Sequence, residues 1–304
     1  MTIDHDTDPH RLATAPLVVG VDGDHTCEQA IRWAARTAAR RGRRLHIVHA
    51  LDFSSTRAIL GSYDVMAPSA TEGMHDHGDH VLAAAVRVAR DAAPDVTIAT
   101  ELSEANPAEL LIALSESAHM VVLGARSDAG AAHYLGSTLL KVTAHGHGAI
   151  VVVHDTDIRE AGPVVVAIDG SPVGEPAIAT AFAEASELGT DVVAMHAWSD
   201  IDAGTFAGAT YLELPVADLE VAEHTLLAER LAGWQEKYPD VRVTREVFAD
   251  GPRHHLADAS TTAQLIVVGS RGRGGFRGLL LGSTSTWIMR HAHCPVMVVH
   301  PERR

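Results

Sequence analysis

The chain has 304 residues, a length that suits two domains of about 150 residues rather than one. Its 46% apolar content is that of a globular protein, and no apolar run is long enough to cross a membrane. A formal net charge of −15 argues against nucleic acid as the main partner, because a phosphate backbone needs a basic face.

The first fourteen residues are acidic and lack an apolar core segment, so they read as a disordered tail and not as a secretory signal. The two cysteines, Cys27 and Cys294, cannot form a disulfide framework, which suits a reducing cytosol. The stripe Arg32, Arg36, Arg40 and Arg44 reads as a solvated helix face ending in favourable C-terminal cations.

An internal repeat organises everything after the tail. Leu17-Val-Val-Gly-Val-Asp22-Gly23 matches Val164-Val-Val-Ala-Ile-Asp169-Gly170, and the segment ending His49-Ala50 matches the one ending His196-Ala197. Residues 120–124 pair with 265–269, and 149–154 with 295–300, at offsets of 145 to 147 residues throughout. So constant an offset marks a duplication. It divides the chain into a tail over 1–14, a first domain over 15–155 and a second over 162–304, with a polar linker between them.

In the second domain strands are expected near 163–168, 190–197, 241–247, 264–269 and 295–300, and helices near 174–188, 215–237, 252–261 and 284–291. Near-continuous β-branched strands imply burial on both faces, hence a parallel α/β sheet in each domain. Ligands of such sheets bind outside the C-terminal strand ends, where Asp169, Ala197 and Gly269 fall. In the first domain, His75, His77 and His80 precede a helix beginning near Val81; they read as a mobile polar loop whose possible metal ligands have no fixed geometry.

The most telling stretch is Gly269-Ser-Arg271-Gly272-Arg273-Gly-Gly-Phe-Arg277-Gly-Leu-Leu-Leu-Gly282-Ser283-Thr284. A buried strand runs into a glycine-rich loop with three arginines and no acid, then into a helix start. Glycines allow tight turns and close approach, and the helix start offers free N–H groups and a positive dipole end to phosphate. The first domain departs from this pattern. Its loop, Gly124-Ala-Arg126-Ser127-Asp128-Ala-Gly130 and on to Gly136-Ser137-Thr138, replaces the second glycine with Ser127. It keeps one arginine and adds an acid. A weakened or absent site is the reading there.

Gly269, Gly272, Gly282 and Ser283, with the opening Asp169-Gly170-Ser171 and the closing Cys294-Pro-Val-Met-Val-Val, resemble the ATP-binding subclass of the universal stress protein family in its tandem, actinobacterial form. The resemblance covers nearly the whole chain. It implies two Rossmann-like parallel sheets of strand order 3-2-1-4-5, packed as a pseudo-dimer through the last strands. It implies that Ala167 and Ala197 line an adenine pocket, with Asp169 and Ser171 beside the ribose and phosphates. Val268, Gly269, Arg271 and Gly272 would wrap the ribose and inner phosphates, and Gly282, Ser283 and Thr284 the terminal ones. Asp22, Ala50, Gly124, Arg126, Gly136, Ser137 and Thr138 are the weaker counterparts.

The resemblance further implies ATP, with Mg²⁺ as a companion, in a cytoplasmic homodimeric sensor for stress or dormancy that answers to a regulatory protein partner. Neither a P-loop lysine motif nor a Gly-x-Ser-x-Gly elbow occurs, so no catalytic residue and no resident metal is assigned and any hydrolysis should be slow. Two alternatives stand beside this reading: an ATPase or adenylyl transferase of the wider α/β superfamily, and an interaction protein with vestigial sites.

Overall fold

The computed structural model describes residues 14–53, 68–125, 135–155, 158–197, 216–272 and 281–301. They divide into two compact units, the first mainly up to Asp155 and the second mainly from Thr156 onward. The tail assigned to the first fourteen residues lies almost wholly outside the described part.

In the first unit the strands are β1 (Leu17–Gly20), β2 (Leu45–Ala50), β3 (Ile98–Ser103), β4 (Met120–Ala125) and β5 (Ala149–His154). They pair in parallel in the order β3-β2-β1-β4-β5. The helices between them are α1 (Glu28–Arg40), α2 (Pro68–Ala92), α3 (Pro107–Ser115) and α4 (Ser137–His145). The α1 face formed by Ala30, Ile31, Ala34, Ala35 and Ala38 is buried, at the three- and four-residue spacing that puts side chains on one stripe. Small alanines let this helix lie close to the sheet.

The second unit repeats the plan. Its strands are β6 (Val164–Ile168), β7 (Val192–Ala197), β8 (Val243–Phe248), β9 (Leu265–Gly269) and β10 (Val296–Val299), in the order β8-β7-β6-β9-β10, again parallel. The order is 3-2-1-4-5 in each unit, as the family resemblance implies. The helices are α5 (Glu175–Leu188), α6 (Val216–Leu231), α7 (Trp234–Lys237), α8 (Pro252–Ser260) and α9 (Ser283–His291). Val164, Val166, Leu265, Ile266, Val267 and Val296 are buried to within a percent of complete, each burial of such a side chain contributing roughly 1.5–3 kcal/mol.

Two elements differ from the sequence expectation. The segment holding His75, His77 and His80 is helical, because α2 starts at Pro68 and not near Val81. The sequence expectation of one helix over 215–237 resolves into α6 and α7, broken at Gly233 with φ +82°, a left-handed conformation that costs glycine little.

Candidate functional site

Strand ends converge first. Asp169 follows the last residue of β6, Ala197 closes β7 and Gly269 closes β9, so all three lie on the C-terminal edge of one parallel sheet. Ala167 lies inside β6, half-buried, and Val268 inside β9, where its side chain is buried and only its backbone is on offer. The turn after β6 needs Gly170 at φ +76°, and that turn folds Ser171 back onto the aspartate. Ser171 donates from both its amide and its hydroxyl to Asp169 Oδ1, at 2.9 and 2.7 Å. One carboxylate oxygen is thereby tied down and the side chain is oriented.

The glycine-rich loop meets this carboxylate directly. A Cβ at Gly272 would lie 2.9 Å from Asp169 Oδ2, closer than side-chain carbons approach, so only glycine brings the loop backbone so near. The loop returns through Gly282, whose amide donates to the Ser270 carbonyl at 2.8 Å, while the Ser285 hydroxyl donates to the Gly269 carbonyl at 2.7 Å. These bonds clip the start of α9 to the end of β9. Gly282 caps α9 without a side-chain bond, and the leading N–H groups of a helix have no partner inside it. Ser283 is exposed and Thr284 half-buried at that helix start, and Arg271 is exposed on the loop. Arg273 and Arg277 lie outside the described residues.

Two further residues adjoin this site: Arg230, which the sequence does not single out, and His196, near the end of β7, which reads from sequence as structural or base-contacting. Arg230, in the last turn of α6, donates from Nε to the Gly170 carbonyl at 3.0 Å, bringing a half-buried guanidinium to the turn that carries Asp169. Sixty residues separate the two, and an arginine ending a helix reads as a solvated C-terminal cation. His196 is the other case. Its Nδ1 faces the Ile168 carbonyl at 2.7 Å and its Nε2 the Glu223 carboxylate at 2.8 Å, with the ring 1% exposed. Both ring nitrogens are engaged, so this histidine braces the ends of β6 and β7 and has none left for a base. His49 makes the matching bond, Nδ1 to the Val21 carbonyl at 2.7 Å.

The first unit assembles a different edge. Asp22 Oδ1 accepts from the Asp24 amide at 3.0 Å and from the Cys27 thiol at 3.0 Å, and Asp24 in turn accepts from the Thr26 amide. Gly124 is pressed against its own chain, with Thr26 O and Cys27 Cα both 3.3 Å from where a Cβ would sit. Gly23 faces Val81, whose methyl would be 2.9 Å from a Cβ there. Ala50 ends β2, and Gly136, Ser137 and Thr138 start α4. Arg126, with Ser127 and Asp128, lies outside the described residues. At this strand end a thiol adjoins Asp22 and an apolar methyl adjoins Gly23, where in the second unit a serine hydroxyl adjoins Asp169 and a guanidinium Gly170.

Neither cysteine is set up as a nucleophile. Burial pushes the Cys294 thiol up to about 12, and burial followed by the Asp22 charge does the same to Cys27. The α2 histidines do not form a ligand set: His75 Nε2 faces Glu104 at 3.3 Å, His80 Nδ1 the Asp76 carbonyl, and His77 is exposed.

Against known proteins, a model of the universal stress protein family matches residues 14–154 and again 161–300. A universal stress protein of Mycobacterium tuberculosis is 38% identical over 290 residues, covering 93% of this chain and 95% of its own. One from Mycolicibacterium smegmatis is 39% identical over 292 residues, covering 94% and 97%. Among solved structures, a universal stress protein from Archaeoglobus fulgidus aligns with a TM-score of 0.66 at 19% identity, over 94% of this chain and 98% of that one; this likeness bears on the fold.

Proposed function

The chain belongs to the universal stress protein family, with two tandem domains of that kind, and we propose that its second unit binds an adenine nucleotide, ATP in the first instance, as a regulatory ligand. The observation that carries this reading is the approach of the Gly272 backbone to the Asp169 carboxylate beside an uncapped helix start. An oriented carboxylate suits ribose hydroxyls or a Mg²⁺ held by the phosphates. The α9 amides, Arg271 and Arg230 supply the donors and positive charge that phosphate oxygens need. Ala167 and Ala197 leave room for a flat base between strand ends.

The same residues argue for binding over turnover. His196, at the end of the neighbouring strand, is committed to Ile168 and Glu223 and leaves no ring nitrogen to act as a base. In this reading the protein is a cytoplasmic homodimer whose nucleotide state alters a surface seen by a regulatory partner during stress. The nucleotide supplies charge and shape to that switch, and the chain's residues bind and orient it.

Calorimetric titration of the full chain with ATP and Mg²⁺ tests the assignment. Asp169→Ala should weaken binding at least tenfold, and Gly282→Glu, which sets a carboxylate at the helix start, should abolish it, while circular dichroism stays unchanged. Equal affinity in both variants and the parent protein would overturn the site. Release of labelled phosphate well above one per minute would favour an enzyme.

A further inference from the structure

Two strands away from Asp169, at the C-terminal end of β8, stand an aspartate and two histidines that the nucleotide reading does not use. Asp250 lies just before α8, and His254 and His255 are in the first turn of that helix. Asp250 Oδ1 is 2.7 Å from His255 Nε2, and Oδ2 is 3.2 Å from His254 Nε2. The three ligand atoms lie within 4.8 Å of one another, the one such convergence of three His, Cys, Asp or Glu side chains among the described residues. From these positions we propose that Asp250, His254 and His255 form a binding site for a divalent transition ion of the Zn²⁺ type.

The donor set selects the ion. Two imidazole nitrogens and one carboxylate are borderline donors that suit Zn²⁺, Co²⁺ or Ni²⁺ and not the all-oxygen shells of Ca²⁺ and Mg²⁺. Bonds of about 2.0–2.2 Å to one ion put neighbouring donors roughly 3.0–3.5 Å apart. The observed separations therefore need only small side-chain movements to close on an ion. The His255 ring is already fixed, stacked on Phe248 with centroids 3.6 Å apart, and His254 leans on it at 3.9 Å. Side-chain exposures of 54% for His254, 21% for His255 and 28% for Asp250 leave an open approach from solvent. Three protein ligands leave further coordination positions for water or an external anion.

A structural role in the fold does not account for the trio. At the corresponding place in the first unit, offset by 145 residues as β3 is from β8, stand Ala105, Glu109 and Leu110. That helix is held by the Asn106 side chain, which accepts from the Ala108 amide at 3.0 Å and the Glu109 amide at 3.4 Å. In the second unit the equivalent residue is Gly251, which gives α8 no side-chain cap. The sheet and helix thus form without this trio, and in the second unit the aspartate is turned to two imidazoles.

The test uses the full chain, stripped with a chelator and titrated with Zn²⁺ by calorimetry and with Co²⁺ by visible absorption, in the absence of nucleotide. One equivalent should bind, with a Co²⁺ ligand-field band. The double variant Asp250→Asn/His254→Gln should lose that band and bind at least tenfold more weakly. The triple variant His75→Ala/His77→Ala/His80→Ala should keep both signals. If the parent binds neither ion, or if the 250/254 variant titrates like the parent, the proposal fails. It also fails if the band vanishes only in the α2 variant. Far-ultraviolet dichroism checks the fold of each variant, and Asp250→Asn alone supplies the same readout should the double variant not fold.

Discussion

His119, at the mouth of β4, accepts a hydrogen bond at Nε2 from the Arg41 guanidinium at 2.7 Å. Burial first, then the charges of Arg43 and Arg41, push its pKa down to about 4 from the ordinary 6.5. A histidine held neutral in the fold is protonated more readily when unfolded, so between pH 6.5 and 4 the unfolded state takes up more protons and stability falls as pH falls. At pH 5 this one group should cost about 2 kcal/mol relative to pH 7. Urea unfolding at both pH values checks it: the loss should shrink by roughly that amount in His119→Gln, and an identical loss in the two proteins would refute the assignment. Ser270 makes an opposite case. Its hydroxyl is buried without a partner among the described residues, and the duplicate carries Ala125 at that place. Removing an unpartnered buried hydroxyl spares its desolvation, so Ser270→Ala should leave stability unchanged or raise it by up to about 1 kcal/mol in the absence of nucleotide. A loss above that size would mean that the hydroxyl has a partner.

Between elements, one device occurs twice. The Ser115 hydroxyl donates to the Ile112 carbonyl and accepts from the His147 amide at 2.9 Å; Ser260 does the same with Ala257 and His293, also at 2.9 Å. Each hydroxyl fastens the last turn of one helix to the turn that leads into the final strand of its unit. Alanine at either position leaves a part-buried amide without its protein partner, so Ser115→Ala and Ser260→Ala should each cost roughly 1 kcal/mol in urea unfolding. In the sequence His145 and His147 match His291 and His293 as descendants of one segment and suggest a cationic helix end, since a serine clamp is a contact over some thirty residues. Strands were easier to read, because runs such as Val164-Val-Val and Leu265-Ile-Val-Val are buried on both faces and need no periodicity. The start of α2 was hidden by Gly73, Gly78 and the polar run between them, all poor helix signals. Gly78 is buried, and a Cβ there would lie 2.5 Å from Leu102 and 3.1 Å from Leu51. The helix is therefore set by its packing on β2 and β3, which local propensity does not report.

Across the whole chain, duplication supplied two identical sheet orders and two unequal edges. The inequality was partly legible, in Asp24 for Ser171, Ser127 for Gly272 and one arginine for three. Its physical form was not, because Cys27 on Asp22, Val81 on Gly23 and Arg230 on Gly170 are contacts between elements distant in sequence or side chains with bland local readings. Those contacts sharpen the expected stoichiometry to one nucleotide per chain. Asp22 already serves the Asp24 amide and the Cys27 thiol, so turning it to a ligand would strand both donors. Asp169 Oδ1 also takes two donors, but both come from the half-buried Ser171 next to it in the chain, whose hydroxyl can turn to a ligand, whereas the Cys27 thiol is buried. A ligand at one hundred times its dissociation constant stabilises the unit that binds it by about 2.7 kcal/mol, which slows amide exchange through opening of that unit by about 100-fold. Hydrogen exchange read by mass spectrometry should accordingly show ATP-dependent protection at 164–172, 265–272 and 281–291, with 17–27 and 120–125 protected far less. Calorimetry should give one equivalent, lost in Asp169→Ala and kept in Asp22→Ala. Two equivalents, or protection that survives Asp169→Ala and disappears in Asp22→Ala, would reverse the roles of the two units.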